Sequence, residues 1–65
     1  MKRDIRNEIL EMMKRSSYGV TVQDVINELG IAPMTAKRHL ARLQREDLVY
    51  FVLKGNCKIH MLKGG

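Results

Sequence analysis

The sequence predicts a mainly α-helical fold with a small β-hairpin, and two observations support this prediction. Apolar residues recur at the 3.6-residue spacing of a helix in three segments, at about residues 4–15, 21–29 and 33–46. From about residue 48 to residue 62 the spacing changes to two, among β-branched and aromatic side chains typical of strands. Because 65 residues suffice for one small core, we expect residues 1–65 to form a single domain.

The composition favours an anionic partner and argues against several other classes of protein. Twelve basic and seven acidic side chains give a formal net charge of +5. The single cysteine, Cys57, rules out an internal disulfide and a cysteine-rich metal cluster. No apolar run is long enough to cross a membrane, so we expect a cytoplasmic protein without a membrane partner. Three aromatic side chains are too few for a platform that stacks single-stranded bases.

The first predicted helix begins near Asp4, whose side chain can cap it. Its apolar side includes Met12 and Met13, and since neighbouring residues point 100° apart, we expect only one of the two to point straight inward. A break follows at residues 16–19, where Ser and Gly favour a turn. We expect Val20 to form one short β-bridge before the next helix begins.

The second and third predicted helices are separated by a tight turn. Thr21 can cap the second helix, and Asp24 lies at the spacing of a capping box. Gly30 can end this helix in a left-handed conformation, and Pro33 suits the first turn of the next helix. Two helices joined by so short a turn, the second of them basic, form the helix-turn-helix arrangement.

The third predicted helix has two different faces. Leu40 and Leu43 fall within about 40° of Ala36 around the helix axis, so this side can be buried. The opposite side and its flanks carry mostly cations, and they comprise Met34, Thr35, Lys37, Arg38, Ala41, Arg42 and Arg45. Charge alone leaves open a solvated face made of good helix formers. A basic helix beside a small core is, however, also typical of surfaces that bind polyanions.

The predicted hairpin has strands at residues 48–53 and 57–62, joined by a turn at residues 54–56. Because two strands alone are unstable, one face of the hairpin must pack on the helices. Strand alternation predicts that this face carries Cys57, Ile59 and Met61. His60 then falls on the exposed face of the hairpin.

The predicted core combines apolar stripes from four elements, because so short a chain can bury only a small cluster. Its members are Ile9, Ile26, Leu29, Leu40, Leu43 and Ile59. The last three residues, 63–65, extend beyond the hairpin, and we expect them to fray because nothing in their sequence ties them down.

Residues 25–43, followed by Asp47-Leu48-Val49, resemble the DNA-binding segment of small bacterial and archaeal transcriptional regulators of the DeoR, ArsR and MarR type. The resemblance extends from Ile5 to Met61 and implies a winged helix-turn-helix domain, with three helices and a two-stranded wing. It further implies a regulator of transcription that binds double-stranded DNA. The third helix would lie in the major groove, and the hairpin would contact the backbone or the minor groove.

The same resemblance implies which residues contact DNA. The base-facing positions are Met34, Thr35, Lys37 and Arg38. The phosphates or the groove wall are contacted by Arg42 and Arg45, and the wing contributes Lys54 and Lys58. Two residues depart from the family pattern. Ala32 stands where a Ser or Thr cap is usual, and Asp47 stands where a Gly is common, which predicts a less sharp turn after the third helix.

The sequence predicts neither an enzyme nor a cofactor or metal site. His39 lies at the edge of the core face of the third helix, in a different element from His60. Cys57 and His60 together would supply two of the four ligands that a structural zinc requires. A Cys–His nucleophile pair on a flat hairpin would lack a pocket for substrate.

The alternative function is a winged-helix module that binds or tethers proteins within a larger assembly, because fold does not fix function. A DNA-binding module needs its cations on one continuous surface. A tethering module exposes an apolar patch instead, which we would expect around Met13 or Leu62. A second copy of the chain and a larger protein assembly therefore stay open as partners.

Overall fold

The computed structural model describes residues 3–63 as three helices followed by a two-stranded antiparallel hairpin. The elements are α1 (Ile5–Arg15), α2 (Val22–Leu29), α3 (Pro33–Arg45), β1 (Val49–Lys54) and β2 (Cys57–Leu62). This architecture confirms the predicted mainly α-helical fold with a small hairpin. Among the helices of this range, none has the length and apolar character needed to cross a membrane.

Short-range signals determine where the first two helices begin and end. The Asp4 carboxylate accepts a hydrogen bond from the Asn7 amide at 3.1 Å and caps α1. Thr21 and Asp24 form the reciprocal bonds of a capping box, at 3.1 and 3.0 Å, as predicted. Gly30 ends α2 with a φ of 64°, a left-handed conformation that glycine adopts without steric strain.

The C-terminal end of α3 turns more sharply than the sequence predicted. The amide of Asp47 donates to the Gln44 carbonyl and the amide of Leu48 to the Leu43 carbonyl, both at 3.0 Å, which is the pattern of a Schellman motif. Asp47 itself has a φ of 64°. An aspartate therefore occupies the left-handed position usually taken by glycine, and the expectation of a less sharp turn was wrong.

The chain after β2 is held against this turn. The Lys63 amide donates to the Leu48 carbonyl at 2.9 Å, and its ammonium group lies 2.5 Å from the Asp47 carboxylate. The expectation that fraying begins at Lys63 was therefore wrong, because two groups of the preceding turn bind it. The other two residues of that prediction, Gly64 and Gly65, lie outside the described residues.

The hairpin packs on the helices through the face opposite to the predicted one. Val49 pairs with Leu62, and Phe51 pairs with His60, so these four side chains share one face of the ladder. Val49 and His60 are buried on this face, whereas Cys57 on the other face is exposed. The prediction of an exposed His60 was wrong, and so was the prediction that the face of Cys57, Ile59 and Met61 packs on the helices.

The reason for this orientation lies in the segment between α1 and α2. Val20 and His60 exchange two backbone hydrogen bonds, at 2.8 and 2.7 Å, which confirms the predicted short bridge at Val20. Gly19 precedes this bridge and approaches the other face of β2 so closely that an added Cβ atom would lie 2.7 Å from Ile59 Cγ2. Because Gly19 packs against them, Ile59 and Met61 are half-buried, but they do not belong to the core.

The core lies between the three helices and the first residue of the hairpin. Its buried apolar residues are Ile9, Met12, Met13, Val20, Val25, Ala36, Leu40, Leu43 and Val49. Burial of Ile9, Leu40 and Leu43 confirms three of the six predicted members. Ile26 and Leu29 lie partly buried at the margin, and Ile59 is half-buried on the other hairpin face, so their predicted place in the centre was wrong.

Both adjacent methionines of α1 are buried, although the sequence suggested that only one would point inward. Met12 retains 7% of its accessible surface and Met13 retains 4%. The reason is that α1 contacts β2 as well as α2 and α3, so more than one stripe of the helix is covered. Flexible methionine side chains can fill the space between α1 and these different elements.

We predict that Leu40→Ala lowers the free energy of unfolding by about 2–5 kcal/mol, the usual effect of truncating a fully buried leucine. Leu40 is 1% exposed and lies on α3 within the core. The matched control is Leu53→Ala, since Leu53 is 69% exposed near the hairpin tip. Urea titrations of the parent and the two variants make the comparison. An equal loss of unfolding free energy in the two variants would mean that Leu40 contributes no more to stability than an exposed leucine.

His60 is the buried polar side chain of the described chain, and its surroundings favour the neutral imidazole. Its Nδ1 lies 3.3 Å from the Val20 carbonyl oxygen, and its ring centroid lies 6.2 Å from that of Phe51. Burial lowers the pKa of His60, the hydrogen bond to Val20 opposes this change, and the charge of Lys58 lowers the pKa further. The net direction is a pKa below 6.5.

We predict that acidification destabilises the fold through His60. The pKa of His60 is lower in the folded state than in the unfolded state. At a pH between these two values the unfolded chain binds more protons, so the free energy of unfolding falls as the pH falls through this range. Urea titrations between about pH 8 and pH 5 measure this dependence. His60→Gln should flatten it, because the group whose pKa is lowered in the fold is then absent. A parent stability that rises on acidification would contradict the assignment.

Candidate nucleic-acid interface

Helix α3 presents a mainly cationic side to solvent because its apolar stripe is buried. Ala36, Leu40 and Leu43 lie in the core, which confirms the predicted buried face. The exposed residues of the helix include five of the predicted contact residues: Met34, Lys37, Arg38, Arg42 and Arg45. Thr35, the sixth predicted residue on this helix, is half-buried. The structure thus brings four cations together on the solvent side of one helix.

The N-terminal end of α3 has no side-chain cap. Pro33 occupies the first helical position, and the preceding residue, Ala32, provides no side-chain hydrogen bond. The first backbone N–H groups of a helix have no acceptor within the helix itself. Together with the helix dipole, these groups make the end of α3 electropositive, next to the cations of its solvent side.

The wing carries its two predicted cations at the tip. A two-residue turn at Gly55 and Asn56 joins the strands, and Gly55 has a φ of 62°. Lys54 pairs with Cys57 while Lys58 pairs with Leu53, so the two lysines belong to neighbouring pairs of the ladder. Because side chains alternate along a strand, the lysines point to opposite faces of the hairpin.

Sequence reasoning missed the contact that holds one of these lysines. Lys58 Nζ lies 4.9 Å from the centroid of the Phe51 ring, a cation–π arrangement on the face that packs on the helices. The two residues are separated by the turn, and the contact depends on a register that the sequence did not determine. The interaction restricts the ammonium group of Lys58 without neutralising its charge.

The carboxylates of the chain are occupied away from these cations. Two of the seven, Asp4 and Asp24, cap α1 and α2. The other five form ion pairs with nitrogen–oxygen distances from 2.5 to 4.0 Å, namely Arg3–Glu8, Arg6–Glu46, Lys14–Glu11, Arg15–Glu28 and Lys63–Asp47. Sequence reasoning missed the pair between Arg6 and Glu46, which are 40 positions apart and carry no local signal of contact.

The six cations of the predicted interface take no part in these five ion pairs. Within residues 3–63, no carboxylate pairs with the charged groups of Lys37, Arg38, Arg42, Arg45, Lys54 and Lys58. The other residues of this range carry five cations and seven carboxylates. The positive surplus of the described chain therefore lies on α3 and the wing. Such a surplus of unpaired positive charge attracts polyanions.

The described residues show no cluster that resembles a metal centre. No three His, Cys, Asp or Glu side chains between Arg3 and Lys63 converge as metal ligands do. His39 is half-buried on α3 and His60 is buried on β2. A groove of about 360 Å³ lies between α1 and α2, and none of the predicted contact residues lines it.

Much of the exposed apolar surface of the described chain lies on the hairpin, although Tyr18 and Met34 are exposed elsewhere. Met13 is buried and Leu62 is half-buried, so neither forms the exposed apolar patch that a tethering module would show there. Instead, four consecutive residues of β1 are exposed: Tyr50, Phe51, Val52 and Leu53. Strand β1 also forms an edge of the sheet, because β2 lies between it and the bridge at Val20.

The comparisons with known proteins agree with this geometry. The sequence model of a family described as winged helix-turn-helix DNA-binding matches residues 2–50, which include the three helices and the start of β1. A search of curated proteins finds no match to the chain. The family match supports DNA binding and, in general, a role in the regulation of transcription. Because the match covers more than half of its 65 residues, the chain belongs to the winged helix-turn-helix DNA-binding family.

Proposed function

We propose that residues 1–65 act as one winged helix-turn-helix domain of a transcriptional regulator, with α3 in the major groove of double-stranded DNA. The observation that carries this proposal is the distribution of charge. Six cations on α3 and the wing have no carboxylate partner within the described chain, whereas the five other cations of that chain are paired. Free cations on an exposed helix are available to phosphates without first losing an internal ion pair.

The proposal divides α3 into a part that reads bases and a part that binds phosphates. Residues near the N-terminus of a helix in the major groove approach the base edges most closely. We therefore assign base contacts to Met34, Thr35, Lys37 and Arg38 and phosphate or groove-wall contacts to Arg42 and Arg45. The uncapped amides at the start of α3 provide further donors for a phosphate oxygen.

The proposal places the wing against the DNA backbone or in the adjacent minor groove. Lys54 and Lys58 point to opposite faces of the hairpin tip, and the minor groove is bordered by a phosphate strand on each side. A tip with one lysine on each face can therefore reach both strands at once. Lysine is a mobile point charge, so these contacts contribute affinity without reading sequence.

The exposed apolar residues of β1 favour protein binding as a second candidate function. An edge strand with four exposed apolar side chains in succession offers both backbone groups and apolar surface to a partner. That partner would be a second copy of the chain or a component of a larger assembly. This candidate predicts that variants of β1 change association between proteins while the affinity of a monomer for DNA stays the same.

We predict that Arg38→Ala weakens binding to a preferred duplex more than binding to random duplex DNA. The difference should be about 1–3 kcal/mol if Arg38 makes a bidentate contact with a guanine. Fluorescence titrations with both duplexes at one salt concentration give the comparison. Lys14→Ala is the control, since Lys14 lies on α1 and pairs with Glu11. Equal losses on the two duplexes would reassign Arg38 to the phosphates.

We predict that the double variant Lys54→Ala, Lys58→Ala weakens binding to all duplexes alike. A salt series on one random duplex tests this prediction and the proposed function together. Four phosphate contacts, from Arg42, Arg45, Lys54 and Lys58, would give the parent a log–log salt slope of about −3.6, and loss of two would make it shallower by about 1.8. The melting temperature should stay nearly unchanged, because neither lysine is buried.

The control for the wing variant removes the same charge from another surface. Lys14→Ala, Arg15→Ala takes two cations from the last turn of α1 and should leave the salt slope close to that of the parent. A wing variant with the parental slope would mean that the hairpin does not contact DNA. A parent that binds no duplex even at low salt would refute the proposed function as a whole.

A further inference from the structure

Met34 is a largely exposed apolar side chain that does not belong to the hydrophobic core. It lies in the first turn of α3 and is 69% exposed, and it belongs neither to the buried core nor to the partly buried residues that pack against it. Its position on the solvent side of α3 follows from the burial of Ala36 and Leu40, which turns the opposite side of the helix outward. Burial within the described chain therefore does not explain this methionine.

The neighbours of Met34 on the helix surface make it an isolated apolar site. The residues three and four positions further along α3 are Lys37 and Arg38, both exposed and both without a carboxylate partner in the described range. Protein-docking surfaces need contiguous apolar area, and a single side chain beside two cations does not provide it. The surroundings of Met34 instead fit a polyanion that offers one small apolar group.

Double-stranded DNA offers such a group in the major groove. The base edges there present hydrogen-bond donors and acceptors, and the one apolar feature among them is the C5-methyl group of thymine. Methionine is unbranched, flexible and polarisable, so its thioether can follow the position of a methyl group. It has no strong donor or acceptor with which to read the other features of a base edge.

We infer that Met34 contacts the C5-methyl group of a thymine and makes the protein select thymine at that base pair. The inference rests on the proposed function, because it requires α3 to enter the major groove. It assigns to Met34 a selection for thymine that Lys37 and Arg38 cannot supply, since their charged groups only donate hydrogen bonds and offer no apolar contact to a methyl group. Met34 thus determines specificity at one base pair, beside the base contacts assigned to Lys37 and Arg38.

The test removes the methyl group and the methionine separately. A preferred duplex is first selected from a random pool with the 65-residue chain, and each thymine in it is then replaced in turn by deoxyuridine. At one position the replacement should weaken binding of the parent about fourfold, the effect expected for one buried methyl-sized group. In Met34→Ala the same replacement should change the affinity by less than a factor of two, because no thioether remains to contact the methyl group.

Two further measurements separate this role from a structural one. Met34→Leu keeps an apolar side chain of similar size and should retain the sensitivity to deoxyuridine. Thermal melts of the variants should match that of the parent, because Met34 is exposed. Ala41→Ser is a matched control on the same side of α3, since Ala41 is also exposed, and it should leave the sensitivity at that thymine unchanged.

The outcomes distinguish the inference from the function on which it rests. If the parent binds the selected duplex but no deoxyuridine replacement weakens it, Met34 does not read thymine and DNA binding stands. If a replacement weakens the parent and Met34→Ala equally, another residue contacts that methyl group and the inference is overturned. If the chain binds no duplex at low salt, both the inference and the proposed function are overturned.

Discussion

Burial of one side of α3 is the constraint on which the rest of the molecule depends. Ala36, Leu40 and Leu43 fill the space between the other two helices and the start of β1, and a chain of 65 residues has little other apolar surface with which to build a core. Once that stripe is buried, the opposite side of α3 must face solvent. The position of its cations therefore follows from packing, and the proposed DNA-binding surface is determined by the same residues that stabilise the fold.

The parts of the fold that the sequence predicted are those determined within a few residues. The capping box of Thr21 and Asp24, the left-handed Gly30 and the Pro33 start of α3 each depend on neighbours at most four positions away. The two faces of α3 depend on helical periodicity, which needs no tertiary information. For this reason the sequence could place Lys37, Arg38, Arg42 and Arg45 on the exposed side of the helix before any packing was known.

The hairpin shows why the remaining features could not be predicted. Strand alternation allows either face of β2 to pack on the helices, and the local sequence makes the face of Ile59 the more apolar one. The observed orientation depends instead on Val20, which lies 40 positions before His60 and bonds to it through backbone and imidazole groups. The sequence of the strand alone cannot reveal that contact, because the partner lies far away along the chain. Burial of His60 is therefore a result of tertiary packing, and so is the pH dependence predicted from it.

The Arg6–Glu46 pair shows how tertiary contacts also determine where charge is available. Glu46 lies four positions after Arg42, a spacing at which ion pairs form along a helix surface. It bonds instead to the Arg6 guanidinium at 2.6 and 3.1 Å, so that α1 takes up a carboxylate that directly follows Arg45 in the sequence. Such an exposed pair contributes at most about 1 kcal/mol to stability, and like charges left unpaired on a helix cost a few tenths each. Stability alone therefore gives little reason for the observed partnership. Its other effect is that Glu46 does not pair with Arg42, which stays without a carboxylate partner in the described chain, as do the other α3 cations. The proposed DNA-binding surface therefore keeps this charge for a polyanion.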